Sequence, residues 1–341
     1  MKVLLVKTSS LGDLIHTMPA ITDLAQYCPD LELHWLVEET FSDIPLWHPK
    51  VKKVHCCAIR RWRKSWFARS TRLAMAQLKS ELRAEQFDLV IDAQGLFKSA
   101  LISRYAQAPI HGYNRKSIRE PLASFFYQKR YVVDYQLPAI SRTRQLFAQI
   151  LGYQCKENPQ FGMHINKPAY LPVSLPQQFV VFLHGTQWSS KIWPLTYWQT
   201  LARLLTEHNI AVLIPYGNET EKTQAHLISR DNTAKVLPPL TLNQLGYVLQ
   251  QATLVVGSDT GLNHIAAALD TNAIGLFGPT NSSLTGLQGA HVVNLQSTLS
   301  CSPCMNKQCP IINENIIPCY ESIATERVFK LILQYFVEKN Q

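Results

Sequence analysis

Apolar and polar positions along the chain follow two alternating periods. Short apolar runs bounded by turn residues are each followed by a segment whose apolar positions recur at helical spacing. In the first such pair, Val3-Leu4-Leu5-Val6 leads into the small polar turn Thr8-Ser9-Ser10 and Gly12-Asp13, after which Leu14, Ile15, Met18 and Ile21 recur at helical intervals. A buried strand, a glycine-containing turn and an amphipathic helix make the opening unit of an α/β domain. The pattern predicts further strands over 33–37, 51–54, 87–92 and 110–113, with helices over about 70–85, from residue 97, and over 141–151. From Cys155 to Pro176 the periodicity lapses and proline recurs at Pro159, Pro168, Pro172 and Pro176, as in an interdomain linker. A second series follows, with strands over 179–183, 210–214, 254–257 and 273–278 between helices over 197–207, 219–230, 241–251 and 262–269. Strands alternating with helices in both halves predict an α/β protein of two doubly wound, Rossmann-like domains, 1–167 and 168–322, facing a central cleft. Residues 323–341 are expected to form a C-terminal helix packing back toward the N-terminal domain.

At 341 residues the chain is long enough for two cores, and 46% hydrophobic with 17% charged residues is ordinary for a globular protein. The apolar run at the N-terminus is too short for a signal peptide and lacks a small-residue cleavage site. No stretch approaches the roughly 20 apolar residues of a membrane span. The expected location is therefore the cytoplasm, or a membrane surface reached from the cytoplasmic side. The formal net charge is +9, which calls for an anionic partner: nucleic acid, anionic lipid or a phosphorylated small molecule. The excess is concentrated at Arg60-Arg61-Trp62-Arg63-Lys64 with Arg69 and Arg72, which read as a loop running into the next helix. Eight cysteines in a reducing compartment are expected as free thiols. Cys301, Cys304, Cys309 and Cys319 have spacing that would suit a four-cysteine zinc site, but they read more simply as structural thiols in a loop, and no metal is expected.

The first turn lacks the Gly-x-Gly-x-x-Gly of a dinucleotide site, and no Gly-Lys-Ser/Thr of a P-loop follows it. Asp13, placed where ligands of such sheets gather, is an acid, a base or a helix cap. In the second half, Gly257-Ser258-Asp259-Thr260-Gly261-Leu262-Asn263-His264 follows a strand and opens a helix, whose free N–H groups and dipole favour a phosphate. Asp259 is equally readable as an N-cap and Gly261 as a tight turn. His184-Gly185-Thr186 with Lys191-Ile192-Trp193-Pro194, and Tyr216-Gly217-Asn218-Glu219-Thr220-Glu221, lie beyond two other strands of the same half. Three polar sets at strand carboxyl ends favour a nucleotide-diphosphate site there.

Val6-Lys7-Thr8-Ser9-Ser10-Leu11-Gly12-Asp13, Ala58-Ile59 with the basic block, Ile91-Asp92-Ala93-Gln94-Gly95, Arg119-Glu120-Pro121-Leu122-Ala123-Ser124, Phe182-Leu183-His184, Lys191-Ile192-Trp193-Pro194, Asp259-Thr260-Gly261-Leu262-Asn263-His264 and Gly278-Pro279-Thr280 together resemble the lipopolysaccharide heptosyltransferases of glycosyltransferase family nine. The likeness spans nearly the whole chain, and the Thr-Ser-Ser turn and basic block favour the first enzyme of that core pathway over those acting later. The resemblance implies the GT-B fold and transfer of L-glycero-D-manno-heptose from ADP-heptose to the Kdo of Kdo2-lipid A. Inversion at the anomeric carbon is implied, with Asp13 as general base and Lys191 steadying the leaving diphosphate. Donor contacts are implied at Thr186, Gln187, Lys191, Glu221, Leu240, Asp259, Thr260, Gly261, Leu262 and His264; Gln187 stands where the family often has a second threonine. Acceptor contacts are implied at Lys7, Ser9, Ser10, Arg60, Arg61, Arg63, Lys64, Gln94 and Arg119. Lys7 would hold an acceptor carboxylate or pair with Asp92, and Trp62 and Trp66 would lie against sugar or the bilayer interface. No cofactor and no nucleic acid are expected, and a monomer is. The alternatives are a family-nine enzyme for another acceptor or a later step, or a non-catalytic nucleotide- or lipid-binding relative.

Overall fold

Val3, Leu4, Leu5 and Val6 are all fully buried. Each such aliphatic side chain contributes about 1.5–3 kcal/mol, which fixes the opening run as a central strand rather than an edge. The structure is a computed structural model and describes residues 1–155, 158–311 and 317–337. The chain divides into two units, Met1–His164 and Ile165–Gln341, whereas the sequence pattern places the boundary at 167/168. Residues 156 and 157 of the expected linker lie outside the described residues.

The first unit carries β1 (Lys2–Val6), β2 (Glu32–Glu38), β3 (Val51–Cys57), β4 (Leu89–Asp92), β5 (Ile110–Tyr113) and β6 (Lys129–Tyr131). Every pairing is parallel and the order is β3-β2-β1-β4-β5-β6. The chain leaves β1 in one direction for β2 and returns on the other side for β4, so the order reverses between β1 and β4. The second unit carries β7 (Phe179–Leu183), β8 (Ala211–Ile214), β9 (Lys235–Val236), β10 (Leu254–Ser258), β11 (Ala273–Phe277) and β12 (Val292–Gln296). Its order, β12-β11-β10-β7-β8-β9, is again wholly parallel and repeats the same winding, with the reversal between β7 and β10. Ligands of such sheets bind outside the strand carboxyl ends at the reversal. In each unit that point brings together two stretches far apart in sequence.

The final helix, Thr325–Val337, belongs to the second unit. Val328, Ile332 and Phe336 are buried in the core of the second unit, together with Trp193, Trp198 and Tyr320. Trp193 Nε1 donates to the Ile323 carbonyl at 3.0 Å and Thr325 Oγ1 to the Tyr197 carbonyl at 3.3 Å. These bonds tie the helix to the helix Leu195–Glu207.

Candidate active site

In the first unit the reversal point joins the turn after β1 to the turn after β4. Gln94 Oε1 accepts from the backbone N–H of Thr8 at 2.9 Å and of Ser9 at 3.0 Å. Gln94 therefore splints the Thr-Ser-Ser turn, and the carbonyl end of its side chain is occupied by that role. Asp92 is fully buried and makes no ion pair with Lys7. Its Oδ1 accepts from Gln94 N and Gly95 N at 2.9 and 3.1 Å, and its Oδ2 from Ser99 Oγ and Tyr127 Oη at 2.9 and 2.8 Å. Burial raises its pKa against these four donors. Lys7 Nζ donates instead to the Ala93 carbonyl at 3.1 Å, while the Lys7 carbonyl takes the Trp35 indole N–H at 2.9 Å.

Asp13 stands in the short helix Leu11–Ile15. Its Oδ2 accepts both the backbone N–H of Ser10, at 2.7 Å, and the Ser10 hydroxyl, at 2.8 Å. The first of these bonds is half of a capping box, so Asp13 caps its helix. Its Oδ1 takes no hydrogen bond among the described residues. Burial pushes the Asp13 carboxyl up, but the charge of Lys7, the Ser10 N–H, His16 and the Ser10 hydroxyl outweigh it and hold it below the ordinary carboxylate value. Lys7 in turn is lowered by burial, against the attraction of Asp13 and Asp92. The result is an ionised carboxylate with one oxygen tethered and one available.

The basic block lies further out. Arg61 makes a two-pronged ion pair with Glu39, at 3.0 and 2.9 Å, and the Arg60 guanidinium sits over the Phe41 ring, 5.2 Å from its centre. Arg63, Lys64 and Arg119 are exposed. Trp62, expected against sugar or lipid, is instead 4% exposed and part of the core, whereas Trp66 is 50% exposed. What positions the block is a residue the sequence did not flag: Glu38, 3% exposed at the end of β2, accepts from Ile59 N and Arg60 N at 3.2 and 3.0 Å.

In the second unit the reversal joins the loop after β7 to the start of the helix Gly261–Ala268 after β10. Lys191 Nζ contacts Asp259 Oδ2 at 2.7 Å and the Asp259 carbonyl at 3.4 Å, and Asp259 Oδ1 meets His264 Nε2 at 3.4 Å. Burial pushes the Asp259 carboxyl up; the His264 hydrogen bond and Lys191 reverse this and drive it far below the carboxylate range. Thr260, not Asp259, is the N-cap, its hydroxyl accepting from Leu262 N at 3.3 Å. The indole of Trp188 underlies Lys191, 4.4 Å from ring centre to Nζ. Ser190 Oγ and N donate to the Asn306 and Lys307 carbonyls at 2.6 and 3.2 Å. Neither of these supports carried a signal in the sequence. Glu221 accepts from Gly217 N at 2.7 Å and leans on Gly185, where a Cβ would come 2.5 Å from its carboxyl carbon and displace it. Thr186 is half-buried and Gln187 exposed on the loop after β7, and Leu240 is half-buried on the segment leading to the helix Leu242–Gln251. Leu262 and Gly261 lie half-buried in the first turn of their helix.

Among the described residues, one group has ligand atoms close enough to share a metal: His34, His55 and Glu85. They lie on β2, on β3 and past the helix Arg69–Ala84, away from the reversal point, and their atoms already serve one another. His34 Nδ1 and His55 Nε2 are 3.0 Å apart, and Glu85 binds Lys2 and Lys53 at 3.0 and 2.6 Å. Cys301, Cys304, Cys309 and Cys319 are free thiols and do not meet that closeness. Cys319 is pushed up to about 12, first by burial and then by the other three.

The profile of glycosyltransferase family 9 (heptosyltransferase) matches residues 75–314. The chain is 46% identical over 312 residues to lipopolysaccharide heptosyltransferase 1 of Pseudomonas aeruginosa, covering 91% of this chain and 87% of that one. Among solved structures it is similar to the E. coli heptosyltransferase WaaC with ADP, at a TM-score of 0.85 and 36% identity over 98% of this chain and 100% of that one. WaaC with ADP-2-deoxy-2-fluoro heptose matches at a TM-score of 0.81 and 35% identity over the whole of both chains. Two doubly wound units in the GT-B manner, a profile over most of the chain and these identities agree: the chain belongs to glycosyltransferase family 9, the heptosyltransferases, and is a glycosyltransferase.

Proposed function

We propose that the enzyme transfers L-glycero-D-manno-heptose from ADP-heptose to the Kdo of Kdo2-lipid A, with inversion at the anomeric carbon and Asp13 as general base. One observation carries this reading: Asp13 is ionised, fixed through Oδ2 by Ser10, and has Oδ1 open. In an inverting displacement the acceptor hydroxyl attacks the anomeric carbon as the bond to the diphosphate breaks. The attacking oxygen becomes acidic as its new bond forms, so a carboxylate held below the ordinary range can still take its proton late in the step. Lys7, Ser9, Ser10, Gln94, Arg60, Arg61, Arg63, Lys64 and Arg119 supply the polar and cationic surroundings that an acceptor bearing carboxylates and phosphates requires.

The second unit would hold the donor. Charge grows on ADP as the glycosidic bond breaks, and Lys191, aimed by Asp259 over the Trp188 face, can meet it together with the N–H groups opening Gly261–Ala268. In this reading that charge stabilisation needs no metal. Glu221 suits sugar or ribose hydroxyls and Leu240 the adenine face. Gln187 offers an amide where a second hydroxyl is frequent in the family. The acceptor's lipid places the enzyme, as a monomer, on the cytoplasmic face of the inner membrane; no described helix is long and apolar enough to cross one.

The test is turnover of ADP-heptose with Kdo2-lipid A, followed by ADP release and by NMR of the new anomeric linkage. Product of inverted configuration is expected. No turnover with this acceptor, alongside turnover with one already bearing a heptose, would move the enzyme to a later step of the core.

A further inference from the structure

Residues 60–79 hold seven Lys and Arg and not one Asp or Glu. The same stretch keeps large apolar side chains in water: Phe67 is 89% exposed, Leu73 61% and Trp66 50%. Trp66 and Phe67 line a groove of about 430 Å³ together with Arg72, Met75 and Lys79 of the helix Arg69–Ala84 and Tyr105 of the turn Arg104–Ala106. Lys79 Nζ stands over the Tyr105 ring, 6.0 Å from its centre. Neighbouring acids are turned elsewhere: Glu39 is taken by Arg61, Glu81 by His55 and Glu85 by Lys2 and Lys53. Neither Arg72 nor Lys79 has an acid partner among the described residues.

Aromatic tips beside uncompensated cations are what an interfacial surface needs. Trp and Phe enter the boundary of the acyl region while Lys and Arg reach phosphates, their stems lying along apolar surface. A second copy of this chain is the poorer fit, because it would set one acid-free basic face against another in a protein of net charge +9. We propose that the Trp66–Tyr105 groove and its rim form a docking face for a bilayer of anionic phospholipid. This face is distinct from the acceptor contacts of Arg60, Arg61, Arg63 and Lys64, and it brings the acceptor site down to the membrane. The proposal rests on the reading of a lipid-linked acceptor.

The experiment is sedimentation of the full chain with phosphatidylcholine vesicles, with and without phosphatidylglycerol. It compares the wild type with the double variants Trp66→Ser/Phe67→Ser and Arg72→Ser/Lys79→Ser. All four side chains lie outside the proposed catalytic set, and unchanged circular dichroism and melting would show that the variants fold. Each double variant is expected to lose on the order of tenfold in partitioning to phosphatidylglycerol vesicles. Turnover of vesicle-embedded acceptor should fall in parallel, and turnover of a deacylated, water-soluble acceptor should stay at the wild-type level. Variants that partition like the wild type, or a wild type indifferent to phosphatidylglycerol, would overturn the proposal. So would a wild-type dimer in sedimentation velocity that Phe67→Ser dissociates. A wild type inactive on the soluble acceptor strikes the functional reading instead, and the vesicle comparison still decides the docking face.

Discussion

Asp13 and Asp259 both stand at the carboxyl edge of a parallel sheet beside the reversal of strand order, and each feels a lysine. Their side chains are nevertheless used differently. Asp259 is closed on both sides, Oδ2 by Lys191 at 2.7 Å and Oδ1 by His264 at 3.4 Å. Asp13 feels Lys7 through space without an ion pair, and only its Oδ2 is engaged, by Ser10. An acid closed into an ion-paired network is suited to holding other groups in place. An acid tethered by one oxygen is suited to acting with the other. In the proposed mechanism the same winding would yield a positioning carboxylate in one unit and a reactive one in the other, and the difference lies in what the neighbouring turn supplies.

The largest expected effect comes from removing the charge on the open side. Asp13→Asn keeps the shape and the Ser10 contacts but cannot take a proton. Its turnover should fall by about 10²–10⁴, while calorimetry shows the affinity for ADP-heptose unchanged. The mirror substitution, Asp259→Asn, should act on binding first. Lys191 loses its counter-charge in a site where its side chain is only 14% exposed, so donor affinity should drop by about tenfold or more. Breaking a buried pair from one side should also cost roughly 3 kcal/mol of stability, read from urea unfolding. If Asp259→Asn kept donor affinity and lost turnover while Asp13→Asn weakened donor binding, the assignment of the two roles would have to be exchanged.

Central strands were legible in the sequence, whereas of the four edge strands only β3 was, through Val51 and Val54. The runs that became β1, β2, β4, β5, β7, β8, β10 and β11 all carry apolar positions that neighbours bury on both faces. The three strands missed are β6, β9 and β12, all at sheet edges. Lys129-Arg130-Tyr131 and Lys235-Val236 hold exposed lysines, and in β12 only Leu295 is buried. An edge strand bonds on one side only and can satisfy its pairing with little apolar content. At the site, residues in contiguous motifs could be read, whereas Glu38, Trp188 and Ser190 act on partners across the fold. Trp62 was misplaced because an indole beside four cations looks like a surface residue until its burial is seen.

The smallest expected effect compares the two units by pH rather than by chemistry. His48 is 3% exposed in the first unit, its Nδ1 accepting from Lys50 N at 3.1 Å and its Nε2 3.1 Å from Thr22 Oγ1. Those contacts suit a neutral ring, and burial followed by the charge of Lys50 lowers its pKa from 6.5 to about 4. Between these values the unfolded chain binds a proton that the folded chain refuses. Stability is therefore full above pH 6.5 and is lost as the pH falls toward 4. At about 1.4 kcal/mol for each pKa step, the loss is at most about 3.5 kcal/mol, of which about 2.5 kcal/mol is reached by pH 4.5. His184 of the second unit is also lowered by burial, but the Glu221 backbone bond opposes this, so the second unit should lose less in the same window. Urea unfolding at pH 7 and pH 4.5, followed by pulsed hydrogen exchange in peptides from 1–155 and from 165–311, reads the units separately. His48→Gln should flatten the acid loss in the first unit and leave the second unchanged. If the first unit of the variant weakens as steeply as that of the wild type, the sensitivity belongs to some other group.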